Sequence, residues 1–443
     1  MEMSKLAEIM KRSGIVGAGG AGFPSYAKLN DKADTIILNC AECEPLLKLH
    51  RQVLKNYAFE IMTALTEVAG AVGATNLYIA AKKTYKTTLE ALFAQHDSFP
   101  NIKIYQLPSV YPAGDEVLTI YGITGRVVPP GSIPISVGVI VYNVETMFNT
   151  YYAIKEGKPV TSKFVTVAGE VRHPVTLRVP LGMTHKELIE LAGGATVKEY
   201  ELISGGPMTG KLSGDYDLVT KTTNAILVLP KDHYVIARRK SSVAIDMKRA
   251  FAACCQCRMC TDLCPRHLLG HPIEPHAFMR AVSSGVTADV TPYVNSMFCS
   301  QCGLCEMYSC FQGLSPKTLL GVCKTELRKN GVPVPKDVKA APVSPDRDLR
   351  RVPMKRLVSR LDLTRYNIPA VLDDRLVEAK KVKLQLSQHI GAPAVACVKL
   401  GDKVEAGQVV ANAAPGKLSV PVHASISGVV VDVNDKAITL QAE

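Results

Sequence analysis

Residues 254–265 read CCQCRMCTDLCP, and this short stretch decides the fold of the segment around it. Its cysteines at positions 254, 257, 260 and 264, followed by a proline, have the spacing C-x2-C-x2-C-x3-C-P. The two-residue gaps let a tight loop place three thiolates on one face of an iron–sulfur cubane, while the fourth thiolate comes from elsewhere in the chain. The stretch therefore predicts a loop that ligates a [4Fe–4S] cluster.

A second run with nearly the same spacing, CSQCGLCEMYSC, follows at residues 299–310. In ferredoxins with two such runs, the fourth cysteine of each run ligates the cluster of the other run. We therefore predict two [4Fe–4S] clusters with exchanged ligands. One is held by Cys254, Cys257, Cys260 and Cys310, and the other by Cys264, Cys299, Cys302 and Cys305.

The second run departs from the usual pattern in two ways. It has one extra residue before Cys310 and no proline after it, so Cys323 remains an alternative fourth ligand. Zinc is less favoured, because zinc sites usually pair two C-x-x-C knuckles and often include histidine. Cys255 is surplus to both sets and is expected to pack as a small buried side chain. Three histidines just beyond the first run are expected to have structural roles: His267, His271 and His276.

Composition narrows the class of protein. Thirteen cysteines, in a chain of 443 residues whose N-terminus MEMSKLAEIMKR lacks a secretory signal, favour metal ligation over disulfides. The net charge of +12 is diffuse and accompanies no nucleic-acid-binding motif, so no nucleic-acid partner is expected. No apolar run reaches the roughly 18 residues of a membrane span. A cytoplasmic protein without an integral membrane span is predicted.

A glycine-rich stretch, GAGGAGFPSYAKL at residues 17–29, contains the spacing G-x-G-x-x-G. In a Rossmann fold this spacing follows a strand and opens a helix. Here the preceding residues, SKLAEIMKRSG, have a helical pattern, and the apolar stretch DTIIL comes after the loop. We therefore predict a different loop, whose unshielded backbone N–H groups bind the phosphate of a cofactor. An ordinary glycine turn is the alternative.

The pattern along the chain predicts a multidomain α/β protein of five segments. The fourth of these combines a proline-rich linker with a helix near Arg375–Lys381. The segments are an α/β domain at 1–155, a β-rich module around one helix at 162–235, a helical cysteine-bearing domain at 245–330, the linker and helix at 331–388, and a small all-β module at 389–443.

Together these segments resemble a family of flavin and iron–sulfur electron carriers. Its members include the flavin-carrying subunit of respiratory complex I, the RnfC component of the Rnf complex and, most similar here, the cobalamin reductases of bacterial propanediol utilisation. The resemblance implies a complex I flavoprotein-like α/β domain, a β-grasp (SLBB) module, a ferredoxin-like two-cluster domain and a barrel-sandwich (lipoyl-like) module. Rnf-type proteins carry the last module at the N-terminus, so its C-terminal position favours the cobalamin-reductase branch.

The resemblance also implies an FMN and NADH site in the first domain. The glycine loop and the segments NCAECEP, YPAGDE and YNVET are similar to the flavin-site segments of the family. On that basis Phe23 faces the nucleotide, Lys28 contacts phosphate, and Glu42 and Glu44 lie near NADH. The implied set is Gly17, Gly19, Gly20, Gly22, Phe23, Lys28, Asn39, Glu42, Glu44, Asp115, Glu116, Asn143 and Thr146.

Four further positions in these segments are notable. Ala18 stands where complex I usually has an arginine, and Ala41 where it usually has an aspartate. Both changes remove polar contacts to the flavin, which bears on flavin affinity and donor preference. Cys40 and Cys43 form a C-x-x-C pair without a thioredoxin-like context, so we expect them to pack beside the flavin.

The resemblance implies that electrons pass from NADH through FMN and two [4Fe–4S] clusters to cob(III)alamin and cob(II)alamin. Such a reductase supports coenzyme B12 recycling in propanediol degradation, with an adenosyltransferase and a microcompartment shell protein as partners and a location within a bacterial microcompartment. One alternative is an Rnf-type protein that exchanges electrons between NADH and ferredoxin or quinone in a membrane complex. Another is a cluster-bearing scaffold without catalytic activity.

Overall fold

The computed structural model describes residues 1–285 and 287–443. Its first unit is a parallel α/β sheet with helices on both faces. The elements are α1 Met3–Arg12, β1 Thr35–Asn39, α2 Leu49–Asn56, α3 Ala58–Val72, β2 Asn76–Lys82, α4 Lys86–Phe93, β3 Ile102–Leu107, β4 Val110–Tyr111, α5 Glu116–Thr124, β5 Val139–Asn143 and α6 Val144–Glu156. The order helix, glycine loop, strand is confirmed, since α1 precedes the loop and β1 follows it.

Four strands form the sheet in the order β3-β2-β1-β5, all parallel. Ile36 and Leu38 of β1 pack on one face with α3, while Ile37 packs on the other face with α5. Burial on both faces explains the unbroken apolar run of this strand. The chain continues from β1 to β2 on one side, whereas β5 lies on the other side, so Asn39 and Asn143 are register partners at a switch point. Ligands bind outside the carboxyl ends of strands at such points.

The second unit is a sheet that curves around one helix. The helix starts with a capping box, in which the N–H of Thr184 donates to Oε2 of Glu187 over 2.7 Å, and this explains the sequence THKE. The elements are β6 Ser162–Gly169, β7 Val175–Pro180, α7 His185–Leu191, β8 Tyr200–Ser204, β9 Lys211–Ser213 and β10 Ala225–Pro230.

The third unit is helical and carries both cysteine runs. Its helices are α8 Tyr234–Lys240, α9 Val243–Ala253, α10 Met259–Asp262, α11 Pro275–Ser284, α12 Thr291–Asn295 and α13 Pro316–Lys329. The two runs have the same backbone turns at corresponding positions. Gln256 and Gln301 both have positive φ, of 56° and 59°, and so do Arg258 and Gly303 two residues further on, at 64° and 80°. Each run therefore has a left-handed backbone conformation at the same two positions of its loop.

The chain then returns to the earlier units. Residues 331–351 contain no helix or strand, in keeping with the predicted linker, and they are followed by β11 Val352–Pro353, α14 Met354–Arg360 and β12 Val371–Leu376. Strand β11 pairs with β4, and β12 pairs in parallel with β7, which extends the second sheet to β12-β7-β6-β10-β8-β9. The helix predicted near Arg375–Lys381 is therefore wrong. The pairing with β7 overrides the local preference of these charged residues.

The last unit is a small sandwich of two antiparallel sheets, β13-β19-β18-β15 and β14-β16-β17. Alternate residues such as Val382, Leu384 and Leu440 are buried between the sheets. The strands are β13 Lys381–Gln385, β14 Val395–Ala396, β15 Lys403–Val404, β16 Val409–Asn412, β17 Val422–His423, β18 Gly428–Val433 and β19 Ala437–Gln441. Among the described residues, no helix combines the length and the apolar character that crossing a membrane requires.

Candidate functional site

An open cleft of about 1110 Å³ lies at the carboxyl ends of β1 and β5. One wall consists of the glycine loop and the strand ends, and the facing wall consists of loops of the second unit within residues 204–224. Gly22 and Phe23 do not line the cleft, and Gly22 is buried beside Thr222. The other sequence-predicted flavin and nucleotide residues line it together: Gly17, Gly19, Gly20, Lys28, Asn39, Glu42, Glu44, Asp115, Glu116, Asn143 and Thr146.

The glycine loop closes on itself and presents its backbone to the cleft. The N–H of Gly17 donates to the carbonyl of Phe23 over 2.8 Å, and the tip, residues 19–21, is exposed on the cleft wall. A Cβ on Gly19 would lie 3.2 Å from Nδ2 of Asn143. A side chain at this position would therefore have to displace the amide of Asn143 by a few tenths of an ångström. A bare backbone of this kind fits a phosphate-bearing cofactor.

The end of β1 is tied to the YPAGDE segment by one amide side chain. Nδ2 of Asn39 donates to the carbonyl of Gly114 over 2.8 Å, and its Oδ1 accepts from the N–H of Ala41 over 3.0 Å. A Cβ on Gly114 would lie 2.2 Å from the carbonyl oxygen of Ala41, so the two backbones touch. Asn39 therefore positions the cleft wall.

The carboxylate of Glu42 is engaged within the chain. It is buried, and it accepts from the N–H of His50 over 2.9 Å and from Nε of Arg51 over 2.6 Å. These partners lie in the first turns of α2, so Glu42 orders the start of that helix.

Glu44 joins the two walls of the cleft. Its carboxylate accepts from the N–H of Met208 over 2.8 Å and from the N–H of Thr209 over 3.0 Å. Burial raises the pKa of Glu44 above its ordinary value. The side chain therefore fixes the second unit against the NCAECEP segment.

Lys28 and Glu116 bring opposite charges to the cleft. Nζ of Lys28 donates to the carbonyl of Val141 on β5 over 2.9 Å. Burial lowers the pKa of Lys28, while the nearby Glu116 carboxylate opposes that shift. Glu116 is exposed and lines the cleft. The ammonium group is thus held at the strand end, beside the space that a ligand would fill.

Sequence reasoning missed a buried ion pair behind the cleft. Nζ of Lys163 contacts the carboxylate of Glu145 and also donates to Oδ1 of Asn224 over 2.9 Å. Glu145 follows Asn143 in the first turn of α6, and Asn224 lines the cleft. No signal in the local sequence distinguished Lys163, because its partner belongs to another unit.

His50, which the sequence analysis also missed, makes the stability of the cleft sensitive to acid. Its Nε2 lies 3.2 Å from Nδ2 of Asn143. Burial lowers the pKa of His50 to about 3 from an ordinary 6.5, and the charges of Lys163 and Arg51 add to the effect. The unfolded chain therefore takes up this proton first as the pH falls. The stabilisation is complete above about pH 6.5 and declines as the pH approaches 3.

We expect the melting temperature of His50→Gln to fall less than that of the native chain when the pH is lowered from 7 to 5. The measurement is thermal unfolding at several pH values in that window. His96→Gln, at an exposed histidine, is the matched control and should leave the pH profile unchanged. An identical profile for His50→Gln and the native chain would contradict the assignment.

The cysteines of the two runs line two small cavities. The inner cysteine cavity is lined by Cys264, Cys299, Cys302 and Cys305, and the outer cysteine cavity by Cys254, Cys255, Cys257, Cys260 and Cys310. Cys323 lines neither, and its Sγ donates to the carbonyl of Tyr293 over 3.8 Å. Each cavity thus combines three spaced cysteines of one run with the last cysteine of the other. The outer cysteine cavity also has Cys255, and the prediction that this side chain is buried is wrong, because it is exposed next to Cys254.

The donor set suits a cluster better than a single ion. No group of three or more His, Cys, Asp or Glu side chains in the described chain is arranged to hold one metal ion. Burial raises the pKa of Cys264 and of Cys302 to about 12, so these thiols keep their protons unless a metal cation replaces them. Four thiols around a cavity fit an iron–sulfur cubane.

The inner cysteine cavity adjoins the cleft. Cys302 lines both, and the hydroxyl of Tyr111, on the cleft wall, donates to the carbonyl of Cys302 over 2.5 Å. Asp115 caps α5 and forms an ion pair with Arg266 over 2.9 Å. Arg266 stands two residues after Cys264 in the chain. The two sites are therefore joined by direct contacts.

Family models describe nearly all of these units. Residues 10–152 match the Nuo51 FMN-binding domain, residues 164–212 the SLBB domain, residues 253–315 a 4Fe-4S dicluster domain, and residues 374–443 the RnfC barrel sandwich hybrid domain. An NAD+-reducing [NiFe]-hydrogenase has a similar fold, with a TM-score of 0.50 and 20% identity over 76% of this chain and 64% of that one. The predicted multidomain α/β fold is confirmed, as are an FMN-binding domain and an iron–sulfur domain.

Two groups of relatives are similar in sequence. One component of the Na(+)-translocating ferredoxin:NAD(+) oxidoreductase complex of Acetobacterium woodii is 31% identical over 60% of this chain and 59% of its own length. Cobalamin reductase PduS of Salmonella typhimurium is 42% identical over 99% of this chain and 97% of its own length. PduS of Citrobacter freundii is also 42% identical, over 98% of this chain and 96% of its own length. At that identity and coverage, the chain belongs to the PduS family of cobalamin reductases.

Proposed function

We propose that this chain is an NADH-dependent cobalamin reductase. Electrons pass from NADH through FMN and two [4Fe–4S] clusters to cob(III)alamin and cob(II)alamin. The observation that carries the proposal is the position of Cys302, which lines both the cleft and the inner cysteine cavity. The proposed flavin site, which exchanges two electrons, and the proposed cluster site, which exchanges one, therefore share Cys302 on one wall of the cleft. When bound, FMN accepts a hydride from a nicotinamide donor and releases electrons one at a time.

The residues of the cleft have distinct tasks in this proposal. The tip of the glycine loop and Lys28 hold the phosphate of FMN, and Asn39 and Asn143 keep the strand ends in place around the ring. The cleft is larger than the 300–1,000 Å³ typical of small-molecule sites, which leaves room for a nicotinamide beside the flavin. The exposed carboxylate of Glu116 faces that space.

The positions of the cysteines support an order for the two clusters. Cys264, Cys299, Cys302 and Cys305 ligate the cluster next to the flavin, and Cys254, Cys257, Cys260 and Cys310 ligate the second. The two cavities support this exchanged ligand set, and Cys310 is preferred to Cys323 because only Cys310 lines the outer cysteine cavity. Cys305 is buried whereas Cys257 is exposed, so the first set would hold an enclosed cluster and the second set a cluster near the surface.

The likeness to PduS supports the biological setting that we propose. In this setting the chain works within a bacterial microcompartment, keeps coenzyme B12 active during propanediol degradation, and meets an adenosyltransferase and a shell protein there. The support is the 42% identity over nearly the full length of the Salmonella protein.

The test is anaerobic reduction of aquacobalamin by the purified chain. With NADH, the holoprotein should convert the absorbance spectrum of aquacobalamin to that of cob(II)alamin, and it should contain FMN and about eight irons per chain. Reduction of ferredoxin or quinone without reduction of cobalamin would instead assign the Rnf-type role. Iron without flavin would assign the scaffold role.

A further inference from the structure

The outer cysteine cavity opens onto an apolar surface. Phe251 is 76% exposed and Phe311 is 60% exposed, and Met259 is also exposed. Met259 and Phe311 line the cavity with Cys257, and Phe251 lies three residues before Cys254 at the end of α9. We call the three apolar side chains the outer patch. Large apolar side chains gathered on a surface mark an interaction site.

Cations surround the outer patch. Lys248 and Arg249 are exposed on α9, and Arg258 is exposed within the first cysteine run. Arg249 reaches the turn that follows Phe311, since its Nη2 lies 3.6 Å from the position that a Cβ on Gly313 would take. The rim therefore carries positive charge on two sides.

The carboxylates of the same helices cancel only part of this charge. Asp246 of α9 is buried and accepts from the hydroxyl of Ser241 over 2.8 Å. Asp262 of α10 lies 3.4 Å from the guanidinium of Arg350 and 3.9 Å from Nε of Arg258, so it offsets part of the charge of Arg258 on the rim. The exposed face of α9 is thus apolar and cationic.

We propose that the outer patch and its cationic rim dock a protein that accepts single electrons and presents an acidic face. The proposal rests on the proposed function, because it assigns the outer cluster as the exit of the electron path. One NADH gives NAD+, a proton and two electrons, and two acceptor proteins each take one electron. Complementary charge steers such a partner to the patch, and the apolar side chains exclude water from the contact.

A charge-reversed variant tests the docking surface, with flavodoxin as the probe because it is an acidic one-electron acceptor. In the holoprotein, Lys248→Glu with Arg249→Glu should slow oxidation of the NADH-reduced clusters by flavodoxin about tenfold or more at low salt. Its affinity for flavodoxin, measured by calorimetry, should fall in parallel. Lys417→Glu with Lys436→Glu makes the same change of net charge at exposed sites of the last unit, and should leave both quantities unchanged.

Reduction of free aquacobalamin by the same variant decides between occupants. Aquacobalamin is a cation, so reduction of free aquacobalamin should not be slowed by the charge reversal. A slowing as large as that with flavodoxin would overturn the proposal, as would an equal effect of the control pair or no effect of either pair. Failure of the proposed function is recognised separately, because NADH would then leave the flavin oxidised or the iron would be missing.

Discussion

Cys302→Ser should reduce the iron content from about eight to about four atoms per chain, because one [4Fe–4S] cluster loses a ligand. Cys302 lines both the inner cysteine cavity and the cleft, so its cluster is the first to receive electrons in the proposed path. NADH should still bleach the flavin, whereas reduction of cobalamin should be abolished. Iron analysis, flavin absorbance and the anaerobic cobalamin assay measure the three effects.

Cys323→Ser is the matched control for this variant. Cys323 belongs to the same unit, but its thiol bonds to a backbone carbonyl and lines neither cavity. The Cys323→Ser protein should keep all of its iron and its reductase activity. A Cys302→Ser protein with about eight irons, or a Cys323→Ser protein with about four, would show that the ligand assignment is wrong.

Lys163→Met should cost about 3–5 kcal/mol of the free energy of unfolding, because it leaves the carboxylate of Glu145 buried without its cation. Glu145 lies between Asn143 and Thr146 in the first turn of α6, so the affinity for FMN should fall as well. Urea unfolding gives the first quantity, and flavin retained after gel filtration gives the second.

Two comparisons separate this effect from simple loss of a lysine. Lys155→Met breaks the exposed pair with Glu67 and should cost no more than about 1 kcal/mol. Combining Lys163→Met with Glu145→Leu should recover most of the stability, since an apolar pair replaces the buried charges. A Lys163→Met chain as stable as the native one would mean that the pair does not hold the units together.

Local patterns in the sequence were sufficient for much of the fold and for the cysteine sites. The strand Thr35–Asn39 appears at the apolar stretch DTIIL that follows the glycine loop, because a strand covered on both faces needs no polar positions. The spacing of each cysteine run determines its loop geometry, so the two cavities could be anticipated from short stretches alone.

Contacts between distant segments could not be predicted from local sequence patterns. The carboxylates of Glu42 and Glu44 were expected near NADH, but their oxygens accept from backbone N–H groups of α2 and of the second unit. Lys163 gave no signal because its partner lies in another unit. Residues 371–376 form a strand because β7 offers a free edge, and no local propensity encodes the presence of that edge.

After α13 the chain pairs again with the first two units, and this pairing determines where the polypeptide could be split. Strand β11 completes a pair with β4, and β12 completes the edge of β7, so the segment at 331–351 joins parts that already adhere through their sheets. Two polypeptides separated at residue 337 are therefore expected to associate through these two strand pairs, which co-purification of the separately expressed pieces would measure.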